Sequence, residues 1–311
     1  MTISKSIISF IFQSSIFQQC QNKLTPNQKG ILLALISTAM FTFVGVLVRT
    51  LSKDIDPFQI LFFRQVVFVF LLLPSMTKNI SVLLKPTHKG LHVMRITGAF
   101  IALYCGFLTV SNIPFADATA LGFIQVLFVA LISRFFLYEI ISKERVFTII
   151  VGFAGVMLVV QPSFDNSHVF YIFSGILGAF GAAIAVICVR KVAQVEPKIT
   201  LLAYQAIFVG LLAVIPALNT WQWPNLEQLS LLILVGVISS LAQWVGVSAY
   251  KYGQANIIAN VEYTKIIYSL LFGYYLFSEV PNQYAILGAI MIILSALLPY
   301  IYKTKITSKE T

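Results

Sequence analysis

Apolar stretches of about 17 to 22 residues recur along this chain with only short polar breaks between them, and that rhythm restricts the fold more than any other feature. A run of that length crosses the hydrocarbon core of a bilayer as a helix rising 1.5 Å per residue. Only 10% of the residues are charged and 59% are hydrophobic, with mean hydropathy +0.90, where a soluble domain carries about 25% charged residues. The chain is therefore read as an all-α integral membrane protein. No polar segment is long enough to house a separate soluble activity.

The apolar runs give ten spans, near 30–48, 57–74, 90–110, 116–136, 146–160, 168–189, 199–216, 229–250, 255–276 and 283–302. With the N-terminus in the cytoplasm, every Lys and Arg falls inside except Arg49 and Lys53, which lie outside, and Arg64 and Lys265, which lie within spans. Lys85, Lys89 and Arg95 count among the inside cations. The positive-inside rule thus expects both termini in the cytoplasm of a multi-pass protein of the bacterial cytoplasmic (inner) membrane. The net charge of +10 becomes a topological device, and no nucleic-acid partner is expected. Residues 1–28 are too short to span and lack a small-residue cleavage site, so they read as an interfacial amphipathic stretch or a disordered lead. Residues 304–311 form a cytoplasmic tail.

Shifting the chain against itself by 140 residues aligns Pro57 with Pro197, Gln65 with Gln205, Tyr104 with Trp244, Gly106 with Gly246, and Gln125 with Lys265. Five spans in each half is an odd number, so the second half must enter the membrane upside down relative to the first. Inverted repeats of this kind build carriers whose site lies near the midplane between the halves. The expected units are 29–162 and 168–303.

The stretch "IPFADATALGFIQVLFVALISRFFLYEIISKERVFTIIVGFAGVMLVVQP" (113–162) carries a Pro-x-Ala-Asp-Ala entry, an acidic residue closing a span and a Gly-Val-x-Leu-Val-x-x-Pro ending. Its counterpart at 252–298 closes its span with Phe-x-Glu-x-Pro, and "FFRQ" (62–65) stands in the second span. These features resemble EamA-type members of the drug/metabolite transporter superfamily over about residues 30 to 302. The resemblance implies a ten-helix basket in which the first four helices of each half line a central cavity and the fifth helices pack peripherally. It implies a carrier of a small molecule and leaves open amino acids, nucleotide-like compounds, vitamins and metallophores.

Within "NIIANVEYTKIIYSLLFGYYLF" (256–277), Glu262 and Lys265 stand in surroundings apolar enough for hydrocarbon. Each costs roughly 2.5–3.5 kcal/mol at the centre of an inserted helix. Three residues apart, they are neighbours on one helix face, either as a structural pair or as polar contacts for a solute in the cavity wall. Arg64, about eight residues into its span, either meets Glu262 or a substrate carboxylate, or snorkels to the outer surface. The repeat register adds Gln65 with Gln205 and Gln125 with Lys265, polar residues at matching depths. Tyr104 with Trp244, Tyr204 and Tyr263 supply aromatic candidates, with ordinary packing as the alternative, and Asn260 lies near Glu262. The substrate-binding expectation is thus Arg64, Gln65, Tyr104, Gln125, Tyr204, Gln205, Trp244, Asn260, Glu262, Tyr263 and Lys265.

Glu139, Glu279 and Asp117 read as helix-end anchors and caps. Gly175, Gly178 and Gly181 form a small-residue ridge for close helix packing. His88 and His92 have i, i+4 spacing but sit among lysines with no third ligand nearby, so a solvated loop is expected and a metal is not. Cys20, Cys105 and Cys188 are too scattered for a disulfide framework. No nucleotide-binding or hydrolase motif is present, so no catalytic residue and no cofactor are expected. The function expected is secondary transport of a small polar or amphiphilic metabolite, by a monomer or homodimer, as an exchanger or with protons as coupling ion. A membrane-embedded enzyme or receptor using the same cavity is the alternative.

Overall fold

The computed structural model describes residues 25–113, 115–138, 141–161, 169–277, 280 and 282–307. Expectations placed on residues 1–24, on Glu139 and Glu279 and on the Asp117 side chain lie outside the described residues. All regular structure among the described residues is helical: α1 (Pro26–Leu51), α2 (Pro57–Lys78), a single turn α3 (Ile80–Leu83), α4 (Lys89–Asn112), α5 (Phe115–Phe136), α6 (Lys143–Val160), α7 (Val169–Val192), α8 (Lys198–Asn219), α9 (Leu226–Tyr252), α10 (Ala255–Val261), a 3-10 turn (Glu262–Thr264), α11 (Lys265–Phe277) and α12 (Gln283–Thr307).

Helix starts follow from local chemistry. Thr25 and Gln28 form a capping box, Gln28 N–H donating to Thr25 Oγ1 at 3.4 Å and Thr25 N–H to Gln28 Oε1 at 2.9 Å, with Pro26 occupying a position that needs no N–H. Asp56 accepts from Phe58 N–H at 2.8 Å ahead of Pro57, and Asn225 with Gln228 repeats the capping box at the start of α9. Among the described residues six helices are long and apolar enough to cross a membrane: α1, α2, Lys89–Thr109 of α4, α7, α8 and α9. Over their described side chains α5, α6 and α12 contribute the apolar segments Leu121–Phe136, Val146–Val159 and Gln283–Ser295, and the span expected at 255–276 is interrupted by the 3-10 turn. Phe70, Phe135, Phe170 and Ile215 stand exposed on the outside, an apolar surface suited to lipid.

The closest helix pairs join the first half of the chain to the second: α1 with α9, α4 with α7, α2 with α8, and α6 with α12. Apolar side chains gain little by leaving lipid for one another, so close approach of backbones carries such pairs. A Cβ on Gly98 of α4 would lie 2.7 Å from the Gly181 carbonyl oxygen of α7, and one on Gly181 would lie 2.8 Å from that of Gly98. Gly175 and Gly178 continue the same ridge against Leu121 and Cys105. Gly155 of α6 and Gly288 of α12 meet in the same reciprocal way. Gly30 of α1 lies against Gly253, which ends α9.

Because the Gly181 contact is backbone to backbone, nothing flexible can yield to a larger residue. Gly181→Val is expected to destabilise the protein by about 1–3 kcal/mol, as overpacking does. Thermal unfolding in detergent checks this, and an unchanged melting temperature would show that α4 and α7 can separate freely.

Candidate substrate cavity

The cross-paired helices leave a central cavity of about 380 Å³ between them. That volume lies within the range of small-molecule sites. Its wall is largely apolar, with Ala and Val the commonest residues, and its polar members are Ser37, Thr38, Arg64, Arg95, Gln125, Gln205, Gln243, Tyr250, Glu262 and Lys265.

Glu262 and Lys265 sit where the helix narrows into the 3-10 turn, which closes hydrogen bonds three residues apart and nearly eclipses side chains at i and i+3. The local geometry therefore brings Lys265 Nζ to 2.6 Å from Glu262 Oε2. Tyr250 from α9 donates to the other carboxylate oxygen at 3.1 Å. Both members of the pair remain partly accessible from the cavity, with side-chain exposures of 32% for Lys265 and 16% for Glu262.

Arg64 is 5% exposed and lines the cavity without a carboxylate partner among the described residues. Its guanidinium carbon lies 6.0 Å from the Phe41 ring centre, and its Nε has no hydrogen-bond partner. Neither the ion pair with Glu262 nor the outward snorkel forms. Elsewhere on the cavity wall, Arg95 donates through Nη1 to the Leu201 carbonyl and through Nη2 to Gln205 Oε1 at 2.6 Å. Gln243 Nε2 donates to the same Gln205 oxygen at 3.1 Å.

Arg95 was expected among the cytoplasmic cations and is instead 1% exposed, inside α4 and facing the cavity. Charge counting along the chain treats all cations near a span end alike, whereas Arg95 lies nearly two turns into α4. Six residues separate it from Lys89, or about 9 Å along the axis. Gln243 and Tyr250 were also missed. The register signal for Gln243 was available, since the 140-residue shift places it beside the Trp244 match to Tyr104.

Of the expected site residues, Arg64, Gln125, Gln205, Glu262 and Lys265 share the cavity wall. The others do not. Gln65 is buried against Gly210, and Tyr104 packs on Phe58 and Phe100 with ring centres 4.4 and 5.6 Å apart. Tyr204 donates to the Leu83 carbonyl at 2.5 Å, and the Trp244 ring receives Lys198 Nζ at 5.5 Å. Asn260 is buried with its Oδ1 unpartnered, and Tyr263 fills the space beside Gly152 and Phe123. Register fixes depth in the bilayer but says nothing of rotation about each helix axis, so residues matched in depth can face opposite ways.

The solvated loop expected around His92 is also corrected. His92 lies in α4, is 2% exposed, and its Nε2 stands 2.9 Å from Glu196 Oε2 in the α7–α8 connection. The His88 N–H donates to Glu196 Oε1 at 3.0 Å, and Tyr204 meets the His92 ring edge-on at 4.9 Å. Among the described residues no cluster of three or more His, Cys, Asp or Glu side chains could hold a metal. At the opposite end of α2 and α8, Gln59 Nε2 donates to the Gln222 carbonyl at 2.6 Å and Gln222 N–H to Gln59 Oε1 at 3.1 Å. Each end of the bundle is thus tied by polar contacts between the two halves.

The EamA-like transporter family model matches this chain twice, over residues 28–161 and 169–301. The chain belongs to the EamA-like transporter family. It is 28% identical over 273 residues to the pseudopaline exporter CntI of Pseudomonas aeruginosa, covering 87% of this chain and 95% of that protein. It is also 28% identical over 281 residues to an S-adenosylmethionine uptake transporter of Rickettsia bellii, covering 90% of this chain and 94% of that one. A solved crystal structure shares the fold at TM-score 0.78 and 15% identity, over 89% of this chain and 98% of its own. The EamA-type resemblance in the sequence therefore holds, and the protein is a multi-pass bacterial membrane transporter and not an enzyme.

At the His92 end, burial pushes the Glu196 carboxyl up, but hydrogen bonds from His92 and from the His88 and Thr87 backbone outweigh it and hold the carboxyl below its ordinary 4.5. A depressed folded value means stability that is present above pH 4.5 and lost as pH falls through the folded value. Glu196→Gln is expected to lower the melting temperature by a few degrees at pH 7. The gap to the parent should close progressively below pH 4.5 in thermal unfolding scans, and a constant gap would show that the carboxylate charge contributes nothing.

Proposed function

We propose that this EamA-like protein is a secondary transporter that moves a small polar or amphiphilic metabolite across the cytoplasmic membrane by alternating access. The reciprocal pairing of helices carries this reading. The first long helix of each half packs against the third of the other (α1 with α9, α7 with α4), second pairs with second (α2 with α8), and last pairs with last (α6 with α12). That exchange is what two inverted five-helix repeats, 29–162 and 168–303, produce about a pseudo-two-fold axis in the membrane plane. In this reading the helix broken at Glu262 counts as one span of ten, both termini face the cytoplasm, and the cavity lies on the axis.

Two nearly equivalent arrangements follow from such symmetry, one open at each end. The His92–Glu196 and Gln59–Gln222 contacts are then the closures that alternate. Glu262 and Lys265 lie at the interrupted helix, where transporters place polar groups that meet a solute. That one relative is named for export and another for uptake suits a carrier whose two states differ little in energy.

Reconstitution into liposomes tests the reading, with amino acids, nucleotides, S-adenosylmethionine and vitamins offered as solutes. At least one is expected to show saturable flux that depends on the protein and needs no ATP, and an imposed pH gradient separates proton coupling from exchange. Glu262→Gln is expected to cut that flux at least about tenfold while thermal stability is kept, the loss of a contact worth about 1.4 kcal/mol or more in the transition state. No protein-dependent flux of any solute would remove the transport reading, and unchanged flux in the variant would remove Glu262 from it.

The end closures have their own test. Gln59→Cys combined with Gln222→Cys, in a Cys20→Ser background, should be joined by a short bifunctional thiol reagent into a bridge that stops flux, while the same reagent leaves Cys20→Ser alone unaffected; Cys105 and Cys188 are buried. Full flux with the bridge in place would show that this end never opens.

A further inference from the structure

The charges on the cavity wall do not cancel. Lys265 and Glu262 neutralise each other at 2.6 Å, and the Tyr250 hydroxyl is already engaged with Glu262. Arg64 and Arg95 remain. The Arg95 contacts, the Leu201 carbonyl and Gln205, are neutral acceptors that orient its fork without offsetting its charge. Arg64 has no hydrogen bond from its buried Nε and no ion pair among the described residues. Among the described residues lining the cavity, Glu262 is the sole carboxylate.

Two guanidiniums without a carboxylate partner, lining one low-dielectric enclosure, give it a positive potential. That arrangement is costly in the empty protein and favourable once an anion enters. Each fork suits the two oxygens of a carboxylate or phosphate. Their placement adds a second constraint. Arg64 lies seven residues, or about 10 Å, from the start of α2, and Arg95 about 9 Å from the start of α4. Since α2 ends where the connection to α4 begins, these two starts lie at opposite ends of the bundle. A solute entering from either end therefore meets a guanidinium at a similar depth.

We propose that the cavity is built for a small organic anion with at least two acidic groups, carboxylate or phosphate, held between Arg64 and Arg95. The inference deepens the carrier reading and rests on it for what the site is used to do, while the charge preference stands on the cavity alone. Glu262, already engaged by Lys265 and Tyr250, does not offset either guanidinium. A net cation is disfavoured at both arginines.

Thermal unfolding of the full-length, detergent-purified protein tests this at constant ionic strength. The anions are citrate, L-glutamate and adenosine 3′,5′-bisphosphate; their counterparts, at equal concentration, are L-glutamine, adenosine and S-adenosylmethionine. At least one anion should raise the melting temperature by several degrees while its counterparts do not. A response to citrate or glutamate assigns the acidic group as carboxylate, and a response to the nucleotide alone assigns it as phosphate. Because Arg64 makes no hydrogen bond among the described residues that folding would miss, Arg64→Gln should remain monodisperse and weaken that anion at least about tenfold. Arg64→Lys, keeping charge without the fork, should recover part of the affinity.

No shift from any of the three anions, an equal or larger shift from the neutral or cationic compounds, or an unaffected Arg64→Gln would each overturn the proposal. Liposome flux of the bound anion separates the two readings. Binding without flux sinks the carrier and leaves the anion site standing, whereas flux confined to S-adenosylmethionine or a neutral solute keeps the carrier and sinks the anion site.

Discussion

Hydrocarbon offers no partner to a backbone N–H or C=O, and the architecture of this transporter descends from that single deprivation. It forces the chain into helices, and it then withdraws the hydrophobic drive that would hold those helices together, because lipid is as apolar as their side chains. What remains is close packing at small residues. Gly98 with Gly181, Gly155 with Gly288, and Gly30 with Gly253 bring backbones into contact, and all three pairs join the two halves of the chain. The cavity is the space that this crosswise pairing leaves unfilled.

Charge in such a space is governed by how each group is answered. Glu262 and Lys265 are answered by each other, and the 3-10 turn makes that possible by eclipsing their side chains. Arg95 is answered by neutral oxygen acceptors, which fix its direction and leave its charge in place. Arg64 is answered only by an aromatic face. The series runs from full compensation to almost none, and the unanswered end is where a solute has most to contribute.

Much of this was legible before any coordinates. Apolar run length gave the helical membrane class, the spacing of glycines gave the α7 ridge, and an ionisable pair in an apolar run pointed to the cavity wall at Glu262 and Lys265. Gln125 and Gln205 came from register alone. The same register misdirected attention to Tyr104 and Trp244, because equal depth does not imply equal rotation about the helix axis. Arg95 and His92 were hidden for a different reason. Near a span end, a cation in water and a cation drawn inward by a partner on another helix look identical in sequence, and Leu201, Gln205 and Glu196 lie more than 100 residues away from them.

The crosswise pairing also bears on how the chain is made. The helix that covers α1 is α9, which begins at Leu226, some 200 residues after Pro26. At about 5–20 residues per second, roughly 10–40 s pass between synthesis of the two. During that interval Gly30 and its neighbours face lipid with their packing surface bare, as does the inner wall of α2 with Arg64 in it. The first half enters the membrane as an unfinished object, holding a guanidinium whose cavity is incomplete until the second half closes over it.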